Sequence, residues 1–221
     1  MDLHVHSCYS HDGLSSIQEI IEYSKKRGLD GVAVTDHNSL EGALQLSRTN
    51  ELLVLPGMEV NTLGGHILAL NVTKPIPSKL NPSETIHRIH EDGGIAVAAH
   101  PYAFGKTGRR QQLTKISSFD AVEVINSSAF PFFLSTDLSR KWASRLSLPQ
   151  TAGSDSHIPQ TIGMAYTVID ADPEVDEIVE AIKKGATVPV GRSIPWAMKL
   201  RKLSLSLRKM AVKRGYSESS I

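Results

Sequence analysis

Short runs of β-branched and apolar residues alternate along this chain with segments whose apolar positions recur every three or four residues. That alternation predicts βα units arranged around a mainly parallel sheet. Strands are expected over residues 3–5, 32–35, 52–55, 66–72, 95–99, 121–125, 167–169 and 187–190. Helical segments carry their own punctuation. Ser16 is answered by Glu19 in a capping box, Ile17, Ile20 and Ile21 fall on one side, and Gly28 ends the turn. Asn81 repeats the device, with Pro82 at the first helical position and Glu84 three residues after the cap. A third helix opens at Asp172-Pro173 and stops at Gly185. Seven or eight strands with helices between them in under 200 residues suit a small barrel better than an open sheet, and no glycine-rich dinucleotide fingerprint follows a strand. On pattern alone, a doubly wound sheet remains the alternative.

From Trp196 onward the pattern changes. Leu200, Leu203, Leu207 and Met210 form a stripe at three- and four-residue spacing, with basic residues mostly off it, predicting a basic amphipathic helix over residues 195–221 appended to a barrel of residues 1–194. The chain's net charge of +1 hides this asymmetry: the tail carries +6, the body −5. Packing of the stripe on the barrel or on a partner subunit is the first expectation. Contact with an RNA or DNA backbone, or with an anionic membrane surface, is the second. Of the 221 residues, 40% are hydrophobic, yet no apolar run approaches the roughly 20 that a spanning helix needs, which excludes a transmembrane helix. No secretory signal is visible and the one cysteine, Cys8, cannot form an internal disulfide, so a cytoplasmic location is expected, with Cys8 as a small packing residue.

All nine histidines precede residue 158, within the acidic body. His4 and His6 are two apart on an extended segment, so both project to one side and can share a metal ion. Asp12, His37, Glu59, His66, His100, Asp155 and His157 follow at strand ends or on adjoining loops, where a barrel places its active site. Imidazole and carboxylate donors without cysteine suit Mn, Zn or Fe, and a carboxylate such as Glu59 could bridge two cations. His87 and His90 share a helix face away from the strand ends and read as surface residues.

Seven of these nine donors stand in five motifs: Asp2-Leu3-His4-Val5-His6-Ser7, Thr35-Asp36-His37-Asn38, Gly57-Met58-Glu59, His100-Pro101 and Gly153-Ser154-Asp155-Ser156-His157; Asp12 stands before Gly13, and His66 in Gly64-Gly65-His66-Ile67-Leu68 after Glu59. In content and order they resemble those of the PHP (polymerase and histidinol phosphatase) family of metal-dependent phosphoesterases. The resemblance implies a distorted (β/α)7 barrel, a TIM-like fold, with two or three divalent ions. It allots His4, His6, Glu59 and Asp155 to one ion, Glu59, His66 and His100 to a second, and Asp12, His37 and His157 to a third. Asp2 and Asp36 would orient neighbouring histidines rather than touch metal.

The activity so implied is hydrolysis of a phosphomonoester or phosphodiester by a metal-bound hydroxide, with Asp155 or His157 passing a proton to the leaving group. The expected substrate is a nucleotide, an oligonucleotide or a small phosphorylated metabolite, with a histidinol-phosphate phosphatase as an alternative. Lys106, Arg109 and Arg110, in a glycine-containing loop after His100, and Arg192 after the last strand, are candidate phosphate contacts. Two other readings keep the barrel: a catalytically weak, metal-stabilised module that binds nucleic acid or protein, and a hydrolase of carbon–nitrogen bonds.

Overall fold

The structure is a computed structural model that describes residues 1–104 and 113–218, with side chains described to residue 207. Seven strands form one sheet in simple sequential order: β1 (Asp2–Val5), β2 (Gly31–Val34), β3 (Leu53–Asn61), β4 (His66–Leu70), β5 (Ile95–Ala98), β6 (Ala121–Asn126) and β7 (Gln150–Gly153). The sheet curls until its two edges meet. Val5 bridges Ser156, the Asp155 N–H donates to the His4 carbonyl at 2.8 Å, and the His6 N–H donates to the Ser156 carbonyl at 2.8 Å. The result is a nearly closed, distorted barrel of the TIM-like kind, and the open doubly wound sheet does not occur. Buried Asp2 pins the seam, accepting from the N–H groups of Ser154 at 2.8 Å, Gly163 at 2.9 Å and His4 at 3.2 Å.

Two departures from the expected parallel order bear on the site. β4 runs antiparallel to both of its neighbours. Residues 62–65 between β3 and β4 make a tight turn, with the Thr62 N–H donating to the Gly65 carbonyl at 3.0 Å, which is too short a link for a parallel crossover. β4 therefore starts where its parallel neighbours end. β3 is longer than its apolar run suggested, so that Glu59 lies within the strand, opposite Leu68, rather than after it. The expected strands near 167 and 187 are likewise not barrel staves. β8 (Ala165–Ile169) and β9 (Thr187–Gly191) pair antiparallel with each other, and the Thr167 hydroxyl ties β8 to Ala152 of β7.

Helices cover the outside. α1 (Ile17–Lys26) has the capping box intact, with the Ser16 N–H donating to Glu19 at 2.9 Å and Ile20 and Ile21 buried. α3 (Pro82–Glu91) is capped by Asn81, but Glu84 pairs with Arg88 at 2.7 Å instead of reaching back to the cap. α5 (Val175–Lys184) ends on Gly185 in the left-handed conformation, as glycine permits. α2 (Glu41–Ser47) and α4 (Phe132–Arg145) complete the outer layer. Among the described residues no helix is long and apolar enough to cross a membrane. Cys8 is exposed rather than packed, because it sits in the turn beyond β1.

The terminal helix α6 (Trp196–Glu218) meets the barrel on a different face from the one its apolar stripe suggested. Met198, Lys199, Lys202, Leu205 and Ser206 are half-buried, whereas Trp196, Leu200, Leu203 and Leu207 are each more than half exposed. Leu200, Leu203 and Leu207 thus do not pack on this chain; the side chain of Met210 lies outside the described residues.

Gly153 shows how tightly the seam is built. A Cβ there would lie 2.3 Å from the His4 Cβ and 2.8 Å from Glu123 Oε1. Gly153→Ala is expected to destabilise the fold by roughly 3 kcal/mol through overpacking. Gly93→Ala, at φ +80° with nothing within 4 Å, should cost only about 1 kcal/mol of left-handed strain. Urea unfolding midpoints check the pair; equal shifts would contradict the packing argument.

Candidate metal centre

The C-terminal mouth of the barrel gathers all nine residues singled out as metal donors. His4 and His6 leave β1 on one side, as period-two alternation requires. Asp12 and His37 lie on the loops after β1 and β2, Glu59 lies in β3, and His100 follows β5. Asp155 and His157 follow β7, and His66 arrives because β4 is reversed. Donor atoms within 4.8 Å of one another form four overlapping groups: His6, Asp12, His37 and His157; His4, His6 and Glu59; His4, His100 and Asp155; His37, Glu59 and His66. Seven of the nine donors, all but His4 and His6, line a cavity of about 190 Å³. A roomier cleft of about 450 Å³ lies between Met1, Arg27, Leu53 and Tyr166, but its carboxylates are only Asp30 and Asp172 and no histidine lines it.

Glu59 is the hub. Its Oε1 lies 2.7 Å from His66 Nδ1 and 3.0 Å from His100 Nε2, while Oε2 lies 3.3 Å from His4 Nε2, 3.2 Å from His6 Nε2 and 3.2 Å from His37 Nδ1. Burial acts to raise its pKa, but His66 and then His4 outweigh that and hold it well below the ordinary carboxylate range. His100 and Asp155, two of the residues that line the cavity, take positive φ values of 32° and 52°, a strained backbone.

The proton positions test whether this donor set fits a cation. Glu123 Oε1 lies 2.9 Å from His4 Nδ1, so a neutral His4 carries its proton there and turns the Nε2 lone pair inward. That lone pair faces Glu59 Oε2 at 3.3 Å, Asp155 Oδ1 at 3.7 Å and His6 Nε2 at 3.2 Å. Acceptor then faces acceptor. Without a metal the conflict is relieved by a proton: burial alone would lower the His4 pKa, but Glu123 and Glu59 raise it to about 10. His157 repeats the problem. Its Nδ1 lies 2.9 Å from the Asp155 carbonyl, burial and His6 push its pKa well down, and Nε2 then points its lone pair at Asp12 Oδ2, 2.8 Å away. A divalent cation can replace the proton on His4 and satisfy the inward nitrogens of both rings together with the carboxylates they face.

Other expectations sort by position. Asp36 accepts from the Ser7 N–H at 2.7 Å and from the Ser7 hydroxyl, and Asp2 from the seam, so both hold backbone beside the histidines. His11 is exposed, whereas Asp12 turns inward to His157. His87 and His90 pair with Glu91 and Asp120 on α3, away from the cavity. Lys106, Arg109 and Arg110 lie outside the described residues. Arg192 is exposed and does not line the cavity, because it follows β9 in the separate two-stranded sheet.

Three side chains belong to the site without having been singled out. Glu123 holds His4, accepts from the His100 N–H at 2.8 Å and accepts from Asn126 Nδ2 at 3.0 Å. Asn126 also reaches Asp155 Oδ2 at 3.3 Å. The third, Lys202, lines the cavity from α6. Glu123 had a signal, since an acid amid buried apolar residues of a strand needs a partner. Glu123→Gln should keep the fold but lower metal affinity about 10- to 100-fold by weakening the hold on His4. Competition against a fluorescent chelator measures this, and unchanged affinity would remove Glu123 from the site.

Comparison with known proteins follows the same lines. The family model described as PHP-associated matches residues 134–187, from α4 through Asp155 and His157 to the start of β9. An uncharacterized protein of Methanocaldococcus jannaschii is 36% identical over 115 residues, which is 46% of this chain and 67% of that one. Among solved structures, a two-domain protein from Bacteroides vulgatus containing a predicted PHP-like metal-dependent phosphoesterase superimposes with a TM-score of 0.73 at 17% identity. The match covers 86% of this chain and 64% of that one. An amidohydrolase from Chromobacterium violaceum, with bound sulfate and no metal, gives 0.62 at 18% identity, covering 85% and 96%. The solved structures show the shared fold alone, whereas the five motifs in order, their donors gathered at one barrel mouth and the PHP-associated match show that the chain belongs to the PHP family.

Proposed function

We propose that this chain is a metal-dependent hydrolase of phosphoesters, with two or three divalent ions held by His4, His6, Asp12, His37, Glu59, His66, His100, Asp155 and His157. The observation that carries the reading is that the inward ring nitrogens of His4 and His157 lie 2.8–3.7 Å from the carboxylate oxygens of Glu59, Asp155 and Asp12, so that a cation can stand there in place of a proton. Such ions, when bound, acidify water toward a pKa of about 7 and neutralise phosphoryl oxygens. The chain's own contribution is placement. Glu59 presents one oxygen to His66 and His100 and the other to His4, His6 and His37, so one carboxylate can span two cations. Glu123 and Asn126 fix His4 and Asp155, so the donors are held before substrate arrives.

Asp155 and His157 border the cavity on the side of α6, where either could hand a proton to a departing alkoxide. The favoured substrate is a nucleotide, an oligonucleotide or a small phosphorylated metabolite. Sulfate, which has the tetrahedral shape of phosphate, is bound in the Chromobacterium violaceum amidohydrolase. That protein's name also motivates the second reading, hydrolysis of a carbon–nitrogen bond by the same centre.

A panel of a phosphomonoester, a phosphodiester and an N-acyl amide separates the readings. The protein would be freed of metal and then reconstituted with manganese, zinc or ferrous iron, with elemental analysis of each form. Chelator-sensitive phosphoester cleavage is expected. Amide cleavage alone, or phosphoester cleavage that persists in fully chelated protein, would overturn the proposal.

A further inference from the structure

The cavity of the metal centre is lined by carboxylates and imidazoles, and among the described residues one primary amine joins them, that of Lys202. It arrives by a built route. The Ile194 N–H donates to the Ser127 carbonyl at 2.9 Å, just beyond β6, and the Ile194 side chain is buried, so α6 starts at the barrel mouth. Met198 and Lys202 then lie one turn apart on the half-buried face of α6. Both line a narrow slot of about 80 Å³ with Asp155, His157, Ile158 and Ile194, next to the donor cavity. Lys202 lines both, as Asp155 and His157 do, and so stands where slot and cavity adjoin.

Its surroundings do not account for it. Among the described residues Lys202 makes no hydrogen bond and no ion pair within 4.0 Å, although burial depresses its pKa against the opposing pull of Asp12 and Glu59. Removing an ammonium from water without a partner is costly. Nor do the cluster's carboxylates compensate once cations are in place. Asp12, Glu59, Asp155 and Glu123 supply four negative charges, which two divalent ions already cancel, so the loaded cavity leaves no net counter-charge for Lys202. An anion lying between the metals and the amine supplies that counter-charge.

Building on the phosphoester reading, we propose that Lys202 is a substrate-binding residue, its ammonium donating to a non-bridging oxygen of the phosphoryl group, so that α6 forms one wall of the active site. A basic helix that looks like a surface appendage thereby supplies a phosphate contact.

The test is calorimetric titration of inorganic phosphate into the manganese-loaded full chain, with metal content measured on the same samples. Lys202→Met is expected to weaken phosphate binding about 10- to 100-fold at unchanged metal content, the loss of one charge-assisted hydrogen bond. Lys202→Arg, which keeps the charge, should recover most of the affinity. Arg201→Met, on the exposed side of the same helix, should stay within about twofold of the parent. If the parent binds phosphate and Lys202→Met binds it equally well, the role of Lys202 is refuted while the phosphoester reading stands. Loss of metal from Lys202→Met would likewise refute it, placing the lysine in support of the cage. If the metal-loaded parent itself fails to bind phosphate, the phosphoester reading falls first, and this assignment with it.

Discussion

Glu59→Gln is expected to lower kcat/KM on the order of 10³-fold, roughly 4 kcal/mol of lost transition-state stabilisation. The size follows from where the two carboxylate oxygens lie. Each serves a different set of histidines, at 2.7–3.0 Å for Oε1 and 3.2–3.3 Å for Oε2. The amide of glutamine is nearly isosteric but presents one oxygen and one NH₂, so it cannot place anionic oxygen toward two cations at once. Elemental analysis should show the variant short of at least one ion, and unfolding of the chelated form should be near the parent's. A variant with full metal content and near-parental kcat/KM would show that Glu59 does not bridge.

Asp155→Ala and His6→Ala are expected to lose metal and hydrolysis together, by about 10³-fold or more in kcat/KM. His6 Nε2 sits 3.2 Å from Glu59 Oε2 and 3.3 Å from Asp155 Oδ1, and its ring centroid is 4.2 Å from that of His157. It thus stands in two of the four donor groups, so removing it should unsettle both. Asp155 reaches His4 and His6 with one oxygen and Asn126 with the other. Metal stoichiometry after equilibrium dialysis is the deciding measurement. Full occupancy in both variants would mean that the donors at the seam have been misassigned, even if activity fell.

The donors were legible in the sequence because each is local to a short motif at the end of a strand, and strand ends at one face of a barrel converge whatever lies between them. His4 and His6 needed only the two-residue period. His66 was readable as a neighbour of Glu59, but its place in the site depends on the reversal of β4, a matter of loop length rather than of hydrophobic pattern. α4 was hidden because Ser135 and Ser139 occupy buried positions where a helix usually shows apolar ones, leaving only Trp142 and Ala143 to mark its inner face. β8 and β9 have the composition of barrel strands, and only pairing reveals that they bond to each other. Lys202 could not be read at all: in a run of basic residues nothing local distinguishes the one that turns inward from those that face water.

The seam between β1 and β7 also sets when the site can exist during synthesis. A nascent chain that has emerged only as far as β6 carries His4, His6, Asp12, His37, Glu59, His66 and His100 on a sheet with no partner for its first edge. Asp155 and His157, and the carbonyl and N–H groups that join their segment to residues 4 and 6, arrive together in the next stretch out of the ribosome. Two of the four donor groups, the one with Asp155 and the one with His157, therefore stay incomplete until that later stretch has joined the first strand.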